Sequence, residues 1–287
     1  MQFFYGVEYL GGNKRINIIQ PLVSVCVPTF QHYQYIQKCL DSILSQRTNF
    51  TYEIIIGEDD SSDGTKDICL SYAELNQDKI RLFLRRDEDK MIRNGRKTGR
   101  LNHLALYQSA RGKYVCICDG DDYWVNEQKL QLQVDFMEKY PTASLCITDT
   151  DIKGGLVSRP ADLPEKFHVF SPYELRKKNY FGHISSWMMR NEMEELLNNR
   201  IVLKTEIIDM VVFTFYKNRG DTIFIPIVTS VYNLNPNGIF RGRSSLENWK
   251  TMVTMNWHLF YFLHNDPVQL TRSFLYSLRR FFVNFLK

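Results

Sequence analysis

No stretch of this chain reaches the roughly 18 uncharged apolar residues that a membrane-spanning helix requires. Its start, MQFFYGVEYLGG, lacks a basic segment followed by an apolar one, so no secretory leader is expected and the chain is placed in the cytosol. Clustered cysteine is also missing. The six cysteines (Cys26, Cys39, Cys69, Cys116, Cys118, Cys146) stand singly in apolar segments of a chain too large to need disulfide staples, which suits reduced, buried thiols. Cys116 and Cys118 lie two apart in a strand-like run, which puts both on one face without making a metal site. Surplus charge is scarce: 36 Lys+Arg meet 32 Asp+Glu, a net +4. The excess sits in the last twenty residues, where Arg272, Arg279, Arg280 and Lys287 face no acid. A balanced body argues against a nucleic-acid binder, which would carry a broad basic stripe. Repeats and low-complexity segments are absent, and 44% hydrophobic with 24% charged residues is the composition of a globular protein.

What is present is an alternation of short apolar runs with amphipathic segments, the pattern of an α/β fold with a mostly parallel sheet flanked by helices. Leu22 to Val27 reads as a strand stopped by Pro28, and Tyr35 to Gln46 places Ile36, Leu40, Ile43 and Leu44 on one helical face. Further strands are expected at Tyr52 to Gly57, Lys79 to Leu84, Lys113 to Cys118 and Ala143 to Thr148, with helices near Gly99 to Ala110 and Asn126 to Lys139. After Asp151 the Gly- and Pro-rich stretch GGLVSRPADLPEKFHVFSP reads as a loop. Ser171 then caps a short helix with Pro172 at its first position, and Ser185 to Met189 is strand-like. Glu206 to Lys217 is helical with Gly220 as its stop, Thr222 to Tyr232 is a strand, and Leu246 to Leu263 is a helix rich in aromatics. The expected division is an N-terminal extension (1–20), two halves of one domain (21–150 and 151–245), and a helical C-terminal appendage (246–287).

Two acidic clusters begin where apolar strands stop: Glu58, Asp59 and Asp60 after YEIIIG, and Asp119, Asp121 and Asp122 after KYVCIC. In open α/β sheets ligands bind beyond the carboxyl ends of the strands, so both clusters are placed to face one crevice. In an extended DGD, Asp119 and Asp121 point the same way, and Gly120 leaves room for a ligand. Paired carboxylates call for a cation between them. A hard ion such as Mg²⁺ or Mn²⁺, held by one or two carboxylates and substrate phosphates, is the natural occupant, so a nucleoside diphosphate is implied. Simple turn formation is the competing account of each cluster. It explains less well why two turns are acidic at matching ends of parallel strands.

PTFQHYQYIQKCLDSILSQ, EIIIGEDDSSDGT, GKYVCICDGDDYW and KLQLQVDFMEKYP resemble the nucleotide-sugar-binding half of the family 2 glycosyltransferases, enzymes of the GT-A (Rossmann-like) fold. GHISSWMMRNE, the helix carrying Asp209, and IPIVTSVYNLNPNGIF resemble the acceptor half of bacterial surface-polysaccharide members. Likeness covers roughly residues 21–243. The resemblance implies a metal-dependent, inverting transfer of a sugar from a nucleotide-diphosphate donor, a UDP-sugar foremost, to a saccharide or lipid-linked acceptor. It places Thr29, Glu58, Asp59 and Asp119 at the donor, and Asp121 with Asp119 at Mn²⁺ or Mg²⁺. Asp209 becomes the general base, and His183, Ser185, Ser186 and Trp187 lie beside the acceptor. For Asp209 a dipole-stabilising role at a helix start stays open; for His183 and the neighbours Tyr123 and Trp124, so does plain packing.

The basic run from Arg85 to Arg100 has two readings, a solvated loop or a closure over the diphosphate by Arg93 and Arg100. After Val231 and Tyr232 the sequence departs from relatives that carry Arg and His there. It has Asn233 and Asn235, leaving Arg241, Arg243 or the metal to offset the leaving group. In the tail, residues 268–287 form an amphipathic basic helix on a wheel, with Leu275, Leu278, Phe281, Phe282, Phe285 and Leu286 within an arc of about 140°. Such a helix suits peripheral contact with the cytoplasmic face of the inner membrane, and equally docking on the domain or on a partner subunit. The main rival function is an idle, membrane-attached nucleotide-sugar-binding scaffold. A nucleotidyltransferase would need a Gly-rich basic loop after the first strand, and PTFQHYQ is not one.

Overall fold

The computed structural model describes residues 6–11, 20–93, 95–153, 164–176, 178, 181–234 and 244–264, and five positions beyond (267, 271, 274, 275 and 278). The chain opens with β1 (Val7–Tyr9) and β2 (Val23–Thr29), followed by α1 (Ile36–Leu44), β3 (Tyr52–Glu58), α2 (Thr65–Leu75) and β4 (Ile80–Leu84). A small hairpin of β5 (Met91–Arg93) and β6 (Arg96–Thr98) leads into α3 (Arg100–Ser109), β7 (Tyr114–Ile117), β8 (Tyr123–Trp124), α4 (Lys129–Lys139) and β9 (Ala143–Lys153). Next come β10 (His168–Phe170), α5 (Pro172–Leu175), β11 (Trp187–Arg190), α6 (Met193–Asn198), α7 (Ile201–Lys204), α8 (Ile208–Lys217), β12 (Asp221–Asn233) and α9 (Ser245–Leu263).

Among the described residues ten strands form one mixed sheet in the order β1-β4-β3-β2-β7-β11-β9-β12-β10, with β8 pairing β12. The strands β4, β3, β2 and β7 are parallel, and β9 and β12 run with them. Antiparallel β11 is inserted between β7 and β9. Strands buried on both faces read as continuous apolar runs, and side chains of successive residues enter opposite cores. Val25 and Val27 face the layer of α1, α2 and α4, while Cys26, Ile55 and Ile117 face that of α3 and α6 to α9. Helix α1 buries Ile36, Cys39, Leu40 and Ile43, the one-face spacing of an amphipathic helix. All six cysteines are free and buried.

Several local expectations are corrected. Pro28 does not stop β2: Pro28 and Thr29 keep register with Gly57 and Glu58, and the Pro28 carbonyl accepts the Gly120 N–H at 3.0 Å. Proline lacks only a donor, so an acceptor-side contact tolerates it. Helix α8 ends at Asn218 in a right-handed conformation, and Gly220 serves closeness instead, since a Cβ there would stand 2.3 Å from the Thr142 carbonyl oxygen. The stretch 154–172 read as a loop contains β10, and Ser185 belongs to a 3₁₀ turn (Ile184–Ser186) rather than a strand. The supposed N-terminal extension supplies β1, an antiparallel edge on β4. Ser171 does cap α5, in a capping box with Glu174. Helix α9, capped likewise by Ser244 and Glu247, buries Met255 and Leu259 against the α7 and α8 layer. Among the described residues no helix is long and apolar enough to cross a membrane. Of the tail, only Thr271, Phe274, Leu275 and Leu278 are described, all helical; the rest of that expectation, with Asn235, Arg241 and Arg243, lies outside the described residues.

Candidate active site

The ends of β2, β3 and β7 lie side by side, and the chain beyond each end forms the crevice. The backbone ladder continues past β7 through Cys118 N–H to the Cys26 carbonyl and Gly120 N–H to the Pro28 carbonyl, both at 3.0 Å. Gly120 therefore crosses directly over Thr29. A Cβ on it would come within 2.6 Å of Thr29 Oγ1 and 2.8 Å of His32 Nδ1, so only glycine fits. His32 bridges the two sides: Nδ1 is 3.3 Å from Thr29 Oγ1, and Nε2 is 3.6 Å from Asp121 Oδ2. Burial lowers its pKa although Asp121 and Asp63 pull the other way, so the ring is neutral near pH 7.

The DGDD turn is held from below. Asp122 is buried: Oδ2 accepts from the Ser185 hydroxyl at 2.5 Å, and Oδ1 accepts from Asn233 N–H at 3.1 Å. Asn233 Nδ2 donates to the Asp121 carbonyl at 2.6 Å, so this asparagine clamps the turn. His183 approaches the same carboxylate at 3.6 Å, contacts Ser185 Oγ at 2.6 Å, and stacks on Tyr232 with centroids 4.2 Å apart. Burial brings its pKa down to about 4. Trp124 packs beneath, its Nε1–H on the Ser185 carbonyl, and Gln133 holds the Ser186 carbonyl.

Asp119 is the electrostatic centre. Its Oδ1 is buried without a hydrogen-bond partner among the described residues, and burial together with Asp122, Asp209 and Asp121 pushes its carboxyl well above the usual range. Asp122 is raised by burial and Asp121, against its Ser185 and Asn233 donors. Asp209, in the first turn of α8, is raised by burial to about 6, with Arg100 opposing. Burial and neighbouring carboxylates thus disfavour the charged forms of Asp119 and Asp122, the condition a bound cation relieves. Among the described residues no group of three or more His, Cys, Asp or Glu is arranged to hold a metal by itself. The residues fit instead a hard ion that takes one or two carboxylates and completes its shell with ligand phosphates.

Other expected residues are placed as follows. Asp59 is buried at the crevice floor, its N–H on the Thr29 carbonyl and its Oδ2 3.9 Å from Lys90 Nζ, which lies 3.5 Å over the Phe30 ring. Glu58 turns away from the crevice and accepts the Ser61 and Asp60 N–H groups of its own loop. Trp187 is a core residue, fully buried against Phe213, with Nε1–H on the Phe181 carbonyl. Ser185 and Ser186 are also fully buried and act through Asp122 and the turn. Arg93 and Arg100 reach the carbonyls of Leu203 and Thr205 rather than the crevice mouth. His32 was not expected in the site; a histidine three residues after the strand-ending Thr29 was a usable signal. Asn233 and Tyr232 were marked only as the point where the sequence departs from relatives, not as a clamp on the turn or a stack on His183.

Residues 24–197, more than half of the chain, match the family described as "Glycosyl transferase family 2". The chain belongs to that family. It is similar to an uncharacterized protein of Mycobacterium tuberculosis, 32% identical over 124 residues that cover 43% of this chain and 34% of that one. Similarity to the Bacillus subtilis protein EpsE is 33% over 191 residues, 64% of this chain and 62% of that one. The chain thus spans about a third of the length of the mycobacterial relative it matches. Among solved structures, Staphylococcus aureus TarS 1–349 in complex with UDP-GlcNAc superposes with a TM-score of 0.64 at 17% identity, covering 91% of this chain and 72% of that one. The mannosyltransferase PcManGT of Pyrobaculum calidifontis, in complex with GDP-Man and Mn²⁺, gives 0.54 at 19% identity, covering 92% and 76%. These likenesses establish the GT-A fold.

Proposed function

We propose that this protein is a glycosyltransferase that moves a sugar from a nucleotide-diphosphate donor to a saccharide or lipid-linked acceptor in cell-surface polysaccharide synthesis, with Mn²⁺ or Mg²⁺ and with inversion. One observation carries the reading: Asp119, Asp121, Asp122 and Asp209 converge on the strand ends, and the buried Asp119 Oδ1 has no hydrogen-bond partner among the described residues. Membership of family 2 and the UDP-GlcNAc bound by TarS support it and favour a UDP-sugar. In this reading residues 21–150 bind donor, 151–245 bind acceptor, and the 268–287 segment makes peripheral membrane contact.

Asp119 and Asp121 would hold the metal, which when bound supplies positive charge to the departing diphosphate. Thr29 and Asp59 orient the nucleoside, with Asp59 kept in place by Lys90. Asp209 takes the proton of the acceptor hydroxyl as its oxygen bonds to the anomeric carbon and the carbon–phosphate oxygen bond breaks. A pKa near 6 leaves Asp209 ionised at neutral pH yet basic enough for that step. His183 and Tyr232 form a stacked wall beside the turn, suited to line the acceptor. An idle scaffold would have no need of Asp119, Asp121 and Asp209 together. The test is a panel of UDP-, GDP- and dTDP-sugars with and without Mn²⁺: Mn²⁺-dependent release of nucleoside diphosphate from one donor is expected, and no binding or turnover of any would overturn the proposal.

A further inference from the structure

The basic segment from β5 to the start of α3 engages the chain that delivers Asp209. Arg93 donates through Nη2 to the Leu203 carbonyl, and Arg100 donates through Nη2 to the Thr205 carbonyl at 2.7 Å. Both acceptors lie at the end of α7 and in the link to α8, just ahead of Asp209. Helix α8 has no side-chain cap, since Ile207 occupies its N-cap position, so no local hydrogen bond from that position fixes the entry of the helix. The rigid guanidinium fork is suited to supply the missing restraint from a distance.

Arg100 is only 6% exposed, and its second amino group, Nη1, is buried with no hydrogen-bond partner among the described residues. The Tyr107 hydroxyl, two turns further along α3, is likewise buried with no partner among them. Burial raises the pKa of that hydroxyl well above its usual value, with Asp209 and then Asp119 adding to it. At its other end the segment is tied to the donor side: Lys90 reaches Asp87 at 3.0 Å and Asp59 at 3.9 Å, and Lys97 pairs with Asp87.

We infer that Arg93, Arg100 and Tyr107 are positioning residues for Asp209: the two guanidinium groups restrain 203–205 ahead of α8, while Arg100 Nη1 and the Tyr107 hydroxyl face the carboxylate from α3. The inference rests on the reading of Asp209 as general base. Asp119, Asp122 and Tyr232 also interact electrostatically with Asp209, and Glu206 with both arginines. The same hairpin thereby joins the nucleoside end of the site, at Asp59, to the base.

The experiment measures Mn²⁺-dependent release of nucleoside diphosphate by the full chain from UDP-GlcNAc, UDP-glucose and GDP-mannose, fitting kcat and donor KM separately. Arg100→Ala is expected to lower kcat about 30-fold with donor KM within about twofold, the signature of a misplaced group. Arg100→Lys should recover part of the loss. Tyr107→Phe removes only an unpartnered hydroxyl, so it is expected to fold with an unchanged melting temperature yet lose about threefold or more in kcat. Arg93→Ala, on a less buried residue, provides a second foldable variant with a smaller loss. A raised donor KM with kcat retained in Arg100→Ala would place the guanidinium on the donor and overturn the inference, as would unchanged kinetics in both Arg100→Ala and Tyr107→Phe. Asp209→Asn serves as the reference: full turnover there, or no turnover by the unaltered protein, removes the base assignment and the inference with it. Loss in Asp209→Asn with no change in the positioning variants removes the inference alone.

Discussion

The loops after β3 and β7 are both acidic and both contain glycine, but their carboxylates do opposite things. In the first loop Glu58, Asp60 and Asp63 are answered by nearby donors, while Asp59 stands 3.9 Å from Lys90. Glu58 accepts two backbone N–H groups, Asp60 meets Lys66, and Asp63 accepts the Tyr33 and Thr65 N–H groups and the Thr65 hydroxyl. Burial works against Asp63, yet those donors bring its pKa below the usual value. In the second loop Asp119 keeps a buried oxygen without a donor among the described residues and is pushed up by burial and by Asp122, Asp209 and Asp121. An acidic turn becomes a candidate cation site when its own backbone leaves the charge unanswered, not when it merely contains aspartates.

The largest test of that contrast is a pair of isosteric changes. Asp121→Asn is expected to cut Mn²⁺-dependent donor turnover by at least about 100-fold while the protein stays folded. Asp63→Asn should leave turnover intact and cost about 1–2 kcal/mol of stability, read by urea denaturation. Equal activity losses would erase the distinction between the loops. Asp209→Asn comes next, with a loss of about 100-fold or more in transfer and unchanged donor binding by calorimetry; retained transfer would remove it as the base.

Glycines sharpen the comparison further. Gly120→Ala puts a methyl group against Thr29 and His32 at the crevice, so turnover should fall about tenfold or more, with a stability loss of about 1–3 kcal/mol. Gly64, at a φ of 99° before α2, is structural, and Gly64→Ala should cost about 1–2 kcal/mol and leave kcat unchanged. A milder effect is the pH profile. Because burial raises Asp209 to about 6, the base is lost as pH falls through that value, so turnover should rise with pH across it and then level. A profile flat from pH 5 to 8 would contradict the assignment.

Much of this was legible in the sequence because it rests on local pattern. The apolar runs of β2, β3 and β7 and the carboxylates that follow them could be read directly, as could the helix cap at Ser171. Other parts depend on contacts between residues far apart in the chain. Asn233 clamps a turn more than a hundred residues earlier, and Arg93 reaches Leu203 across a similar span. No periodicity encodes such pairings. Trp187 read as an acceptor contact because it follows two serines beside the site. The alternation of a strand turns it into the core instead, where its ring meets Phe213. Glu58 was misjudged for a related reason: its place at a strand end was visible, but not the two N–H groups that its loop curls back to offer.

The central claim is that Asp119 and Asp121 form a cation-dependent diphosphate site. Thermal unfolding of the full chain with UDP, with Mn²⁺, and with both tests it most directly, alongside Asp121→Asn. At saturation of about 100 times the dissociation constant, UDP and Mn²⁺ together should stabilise the protein by about 2.7 kcal/mol, more than the two added separately, and Asp121→Asn should lose that gain. The same stabilisation by UDP without Mn²⁺, or its full retention in Asp121→Asn, would contradict the account.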